Sequence, residues 1–396
     1  MSRIVITGMG LISSIGDSVA ENRYSLKNER SGIGHIQYYQ TAYAGKLPTA
    51  EVKHSTEELN RILFKGENHF LTRTSLLALH AAAEAIQDSG LVPEQLVSSE
   101  TALVGATTVG GMCLTEELYH DALAKDTGTP YLAAYDYASV TLAIQQQYGI
   151  LGEVATINTA CSSSANAIIY GANLIRHGFA RRAIVGGAES LAKFTINGFN
   201  ALNILSSKPC APFDRDRNGL NLGEGAAFLV LEREEDLAGR KSYAVFAGYG
   251  NKNDAYHPSS NSPDGTGPYL SMQEALDNSR LRPEEIDYIN AHGTGTENND
   301  ETESRAMQTL FKKVPAFSST KSFTGHALGA AGSIEAVYSI LSLVHQELYP
   351  SLSFKNAIPE TGLVPVLHHG KQKISHVMSN SFGFGGNCST LIFSNT

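Results

Sequence analysis

Cysteine is scarce and scattered. The 396 residues hold four, Cys113, Cys161, Cys210 and Cys388, and no two form a C-x-x-C pair. That spacing offers neither a disulfide framework nor a zinc ligand set, so the expectation is a reducing compartment and no metal. Charge is also thin. Only 17% of residues are charged, against a usual ~25%. There is no basic surplus, and the formal net charge is −9. Nucleic-acid binding needs a basic face for the phosphates, so the composition argues against it. An acidic protein partner would have to meet a local basic patch. Apolar runs are short: none reaches the ~18 residues of a membrane span. The opening "RIVITGMG" (3–10) reads as a first strand, not as a leader. Low-complexity tracts and long linkers are missing as well. The expectation is a cytoplasmic chain without a membrane segment.

What is present points to a large interior. Hydrophobic residues are 42% of the chain and glycines number 37. A chain of this length is too long for one simple core. An internal echo divides it. "SRIVITGMG" (2–10) resembles "YAVFAGYGN" (243–251), each a small apolar strand ending in G-x-G. "SLLALHAAAEAIQDSG" (75–90) leads to the strand "TALVGATTVGG" (101–111), as "YLSMQEALDNSRL" (269–281) leads to "EIDYINAHGTGT" (285–296). "CSSSANAIIYGANLIRHG" (161–178) resembles "GAAGSIEAVYSILSLVHQ" (329–346). In the latter, Ile334, Val337, Tyr338, Leu341 and Val344 recur at the spacing of a core-facing helix. Three elements repeated in one order predict two similar α/β halves, 1–240 and 241–396, with helices covering the sheets. The "GMGLISSIG" segment (8–16) fails the dinucleotide fingerprint, because Ser13 stands where the third glycine belongs.

Three residues could carry chemistry. Cys161 follows the short strand "LGEVATI" and opens a helix. It reads either as a small buried hydrophobe or as a nucleophile whose thiolate the helix N-terminus favours. His292 in "NAHGTGTENNDETE" and His326 in "STKSFTGHALGAAG" stand among glycines at strand ends, where reactive groups are often presented. Each alone reads equally as a hydrogen-bonded core histidine. Together the three suit acyl chemistry. A thiolate accepts an acyl group from a thioester, and two neutral imidazoles donating Nε2–H bonds stabilise an enolate on a second one. Lys321 and Glu335 flank His326 and could set its orientation and charge, or form an ordinary ion pair. In "NSFGFGGNCSTLIF" (380–393), glycines around Phe382 and Phe384 let backbone amides approach a ligand.

The motifs resemble those of the β-ketoacyl-acyl carrier protein synthases of the elongating type. "VITGMGLISSIGDSVAEN" is similar to the family's opening and "TACSSS" to its nucleophile motif. "NAHGTGT" and "TKSFTGHALGAAG" resemble its two histidine motifs, "PFDRDRNGLNLGEGAA" a further segment, and "NSFGFGG" its C-terminal loop. The resemblance implies a thiolase fold, α/β, with two duplicated halves stacked as αβαβα layers. It implies Cys161 as acyl acceptor, with His292 and His326 supporting decarboxylation of malonyl-carrier protein. Lys321 and Glu335 fall near the second histidine. The oxyanion hole would be the amides of Cys161 and Phe384. Thr294 and Thr296 would bond the phosphopantetheine arm, and Val109, Phe199 and Phe384 would line or gate the acyl pocket. No free cofactor is expected, since acyl carrier protein brings the substrates. A homodimer is implied, with a heterodimer carrying a chain-length partner as the alternative. Asn218, where the family often has Asp, and "GFGGNCST" in place of "GFGGTN" are departures. They leave acyl specificity open between fatty-acid elongation and a specialised polyketide or polyene.

Overall fold

The computed structural model describes residues 3–65, 70–125 and 131–396. Its strands are β1 (Ile4–Ser13), β2 (Thr101–Ala106), β3 (Val154–Ile157), β4 (Arg182–Glu189), β5 (Gly225–Arg233), β6 (Ala244–Asn253), β7 (Tyr288–Asn290), β8 (Ala316–Ser318), a short pair β9 (Glu347–Leu348) and β10 (Gly370–Lys371), β11 (His376–Phe382) and β12 (Asn387–Ser394). All but β9 and β10 join in the order β3-β2-β4-β5-β1-β6-β12-β11-β7-β8. From either outer edge inward the sequence is the same: third, second, fourth, fifth, first strand of that half. Pairing repeats too. β2 runs parallel to β3 and β4, and β5 antiparallel to β4 and β1. In the second half β7 runs parallel to β8 and β11, and β12 antiparallel to β11 and β6. The two five-stranded sheets are joined where Val5 lies opposite Val245 and Ile6 opposite Ala244.

Helices supply the other layers. Arg73–Ser89 covers β1 and β5, and Thr266–Ser279 covers β6 and β12. Between the sheets, Ser163–Arg176 lies on β4 and β2, and Ala331–His345 lies on β11 and β5. The stack is αβαβα, as the family resemblance implies. The G-x-G echo has a packing cause, not a nucleotide one. A Cβ on Gly10 would collide with Ala81 O of the covering helix, and one on Gly250 with Ser271 O. Side-chain-free strand positions let each outer helix press backbone to backbone. The central helix sits between two apolar sheets, so the stretch Leu328–His345 is 89% buried. Its length and apolarity meet a membrane-span criterion, yet it is core. Ile334, Val337, Tyr338 and Leu341 are buried as the periodicity predicts, whereas Val344 is exposed where the helix runs out.

The duplication places the chemistry. Cys161 follows β3, the third strand of its half, and opens the first central helix. His326 follows β8, the third strand of the other half, and precedes the second. His292 follows β7. Two segments at equivalent stations thus converge from opposite sheets.

Candidate active site

The turn at Cys161 is tightly built. Ala160 adopts a left-handed backbone, φ 54°, a conformation in which non-glycine residues are strained. Ser162 Oγ lies 2.7 Å from both Thr159 O and Asn387 Oδ1, fastening the turn to the C-terminal strand. Gly383 crosses directly over it: a Cβ there would lie 2.7 Å from Thr159 O and 3.2 Å from Cys161 N. The thiol sits in an apolar cluster with Leu191, Ile196, Leu220, Leu222 and Leu328. It accepts the Phe384 N–H. Burial pushes the thiol up to about 11, against the pull of the Lys321 charge and the Phe384 amide. This corrects the expectation that the helix start lowers the thiol below its ordinary range. The helix start favours the anion, but removal from water outweighs it.

His292 is oriented from both sides. Its backbone N–H and that of Gly293 donate to Glu303, at 2.9 and 2.8 Å. Lys321 Nζ donates to His292 O at 2.7 Å and to Glu335 Oε1, and lies 3.3 Å from His292 Nδ1. An ammonium has donors only, so Nδ1 must be the acceptor and the ring proton resides on Nε2, towards the cavity. His326 is held by its backbone: its N–H donates to Asn221 O at 2.7 Å and its carbonyl accepts from Gly223 N at 3.0 Å. The two imidazoles meet edge to face with centroids 5.3 Å apart. Burial, with the Lys321 charge behind it, drives both well below the usual imidazole range, so both are neutral at pH 7. Burial lifts Glu335 and Glu303 to about 7 each. For Glu335 the Lys321 ammonium opposes that rise.

Reactive atoms of Cys161, His292 and His326 all lie within 4.8 Å of one another. By donor type the set could hold a metal ion. The fit is poor: Lys321 brings a positive charge to the same site and fixes the His292 lone pair on Nδ1, away from the cavity. The three residues open on a cavity of about 620 Å³, whose wall includes Thr294, Thr296, Phe199, Phe384, Asn299 and Arg217. Phe199 and Phe384 stack with centroids 5.8 Å apart and planes 10° apart. Lys321 and Glu335 lie behind the histidines and off this wall. Val109 is buried and lies off the wall of the cavity that holds Cys161. Its amide is turned to the Glu189 carboxylate at 2.8 Å, which keeps it inside the fold.

Sequence reasoning passed over four supports. Glu303 holds the His292 amide, and Asn380 donates to Glu303 at 3.1 Å. Asp300 accepts from Phe213 N at 2.7 Å and from Gly295 N at 3.2 Å. Arg217 donates to Thr296 O at 3.2 Å and to Glu297 O at 2.7 Å, bracing the Thr294–Thr296 loop. The acidic run "NNDETE" directly after the histidine motif was the available signal. A solvated helix face explains such a run equally well, and only the fold shows that Asp300 and Glu303 are fully buried.

Comparison with known proteins decides the family. Residues 1–237 match the model of the β-ketoacyl synthase N-terminal domain, and residues 243–355 that of its C-terminal domain. The chain belongs to the β-ketoacyl synthase family. It is 33% identical to the 3-oxoacyl-(acyl-carrier-protein) synthase 2 of Vibrio cholerae serotype O1, over 99% of this chain and 98% of the relative. It is 34% identical to the protein of that name in a Synechocystis species, over 99% and 97%. Among solved structures it is similar to the ishigamide ketosynthase/chain length factor, with a TM-score of 0.93, 31% identity, and 100% and 99% of the two chains covered. Its fold is that of the thiolase-type ketosynthases.

Proposed function

We propose that the chain condenses an acyl thioester with malonyl-acyl carrier protein to give 3-oxoacyl-acyl carrier protein, as an acyltransferase of fatty-acid elongation. The observation that carries this is the convergence of one thiol and two neutral imidazoles within 4.8 Å on one cavity wall. Cys161 Sγ attacks the acyl carbonyl. The S–C bond to the carrier breaks, and the cysteine proton leaves with the carrier thiol. In the second half the Nε2–H of His292 and the ring of His326 hold the malonyl thioester oxygen. The carboxylate C–C bond breaks, CO2 leaves, and the enolate carbon attacks the acyl group on Cys161. Amides of Cys161 and Phe384 face the oxyanion of each tetrahedral intermediate. Collapse releases the 3-oxoacyl product, and Cys161 takes a proton from water. Thr294 and Thr296 bond the phosphopantetheine arm, and Phe199 with Phe384 gates the acyl chain. No free cofactor is needed, since the carrier arm delivers both substrates. Residues 1–240 supply the nucleophile and 241–396 the histidines.

A partner chain fits the free edge of β3, whose residues are half-buried while the strand has a neighbour on one side only. Tyr137 and Leu142 are exposed on the adjoining segment. We propose a cytoplasmic homodimer. The likeness to the ishigamide ketosynthase/chain length factor supports a second reading, a polyketide ketosynthase paired with a chain-length partner. Light scattering on the purified chain together with a condensation assay separates the two readings.

The mechanism is tested by acyl-enzyme mass and labelled CO2 release on three variants. Cys161→Ala should lose acylation and condensation but keep some CO2 release. His292→Ala and His326→Ala should still be acylated, while CO2 release falls about 10²–10³-fold. Parental rates of decarboxylation in both histidine variants would end this mechanism.

A further inference from the structure

One buried carboxylate near the site has no counter-ion among the described residues. Glu189 ends β4 and is fully buried. It accepts five hydrogen bonds. Four come from three successive residues after β2: Thr107 Oγ1 at 3.0 Å, Thr108 through both N (2.8 Å) and Oγ1 (2.6 Å), and Val109 N at 2.8 Å. The fifth is Gly329 N, at 3.0 Å. Gly329 follows His326 by three residues, on the short turn Leu328–Ala330. A Cβ on Gly329 would come within 2.8 Å of Glu189 Oε2 and 2.9 Å of Thr108 N, so only glycine admits the amide. Leu328, beside it, holds a left-handed backbone at φ 42° and packs with Cys161. Strain of that kind persists where neighbours over-determine it.

The geometry points to Glu189 as a positioning residue that fastens the Thr107–Val109 segment to the His326 turn, so that the half carrying Cys161 and the half carrying the histidines keep one fixed relation. The inference rests on the proposed condensation. A single carboxylate does this because Oε1 takes Thr107 and Val109, while Oε2 bridges the two segments by taking both Thr108 and Gly329. The donors also oppose the rise that burial imposes on the Glu189 carboxyl. The charge has a second consequence. It lies near enough to Cys161 to oppose formation of the thiolate.

The test uses the whole chain and three variants. Glu189→Gln keeps the shape, removes the charge, and turns an NH2 towards amide donors. Condensation should fall about 10–100-fold, the scale of an ångström-level misplacement. The pH profile of Cys161 alkylation should move to lower pH, which a merely structural role would not produce. Thr108→Val removes one donor and keeps the charge. It should weaken acylation with the alkylation profile unmoved. Gly329→Ala should lower CO2 release with acylation retained, because it breaks only the His326 end. If Glu189→Gln does not fold, the other two variants decide. Parental acylation in Thr108→Val together with parental CO2 release in Gly329→Ala overturns the inference. So does a folded Glu189→Gln with parental condensation or an unmoved alkylation profile. A parental chain that does not condense at all would instead refute the proposed function.

Discussion

Replacing Lys321 by Met isolates the buried ion pair behind the histidines. The side chain of Lys321 is 1% exposed and that of Glu335 is 3% exposed. Three groups lose a donor at once: His292 O, His292 Nδ1 and Glu335 Oε1. Glu335 Oε2 already has no hydrogen-bond partner among the described residues. Breaking a buried pair from one side typically costs about 3–5 kcal/mol, because the remaining charge is uncompensated. Here the carboxylate has an escape, since it can bind a proton. Burial already lifts it from 4.5 to about 7, and loss of Lys321 lifts it further. The folded state then binds more protons than the unfolded one between 4.5 and the folded value. Stability therefore is greatest at low pH and falls as pH rises through that window. In the parent this decline levels off above about 7. In Lys321→Met it continues at up to ~1.4 kcal/mol per pH unit. Glu303 titrates in both proteins and cancels in the difference. The expected deficit is small at pH 6 and grows by about 1–3 kcal/mol between pH 7 and 9. Urea unfolding at fixed protein concentration, at pH 6, 7, 8 and 9, measures it. Lys321→Met/Glu335→Leu should abolish the growth of the deficit between pH 8 and 9, above the range in which the parent's Glu335 titrates. A deficit equal at pH 6 and pH 9 would refute the reasoning.

With its thiol pushed up to about 11, Cys161 is ionised to only about 10⁻⁴ at pH 7. Its alkylation rate, followed by peptide mass, should rise about tenfold per pH unit through pH 9, and a plateau by pH 8 would contradict the burial argument. Gly383→Ala drives a Cβ to 2.7 Å from Thr159 O. Acyl loading should drop about 10²-fold with the circular dichroism spectrum retained, and unchanged loading would show that the turn has room to move. Phe384→Ala removes the ring stacked on Phe199. Loading rates across acyl-carrier proteins of different chain length should lose their discrimination, and an unaltered chain-length profile would count against gating.

Much of this molecule is written locally. The echoed strand and helix patterns appear in the sequence because each half builds the same αβ layers, and periodicity reports burial wherever a helix has one apolar neighbour. The motifs around Cys161, His292 and His326 are also continuous in sequence, so they are recognisable without a fold. What the sequence could not carry is anything that depends on who stands opposite. The proton on His292 Nε2 follows from a lysine that is distant in the chain. From its helix start alone, Cys161 reads either as a buried small residue or as a favoured thiolate. Packed against Leu191, Ile196, Leu220, Leu222 and Leu328, it is held as a thiol. The Val109 amide meets a carboxylate eighty residues further along the chain, Glu189. Glu303 and Asp300 sat in an acidic run that resembles solvated surface, and their burial exists only once the helix Glu297–Leu310 is docked. Desolvation and long-range hydrogen bonding are properties of the assembled core. They set the charge states on which the chemistry depends, and no local pattern of residues encodes them.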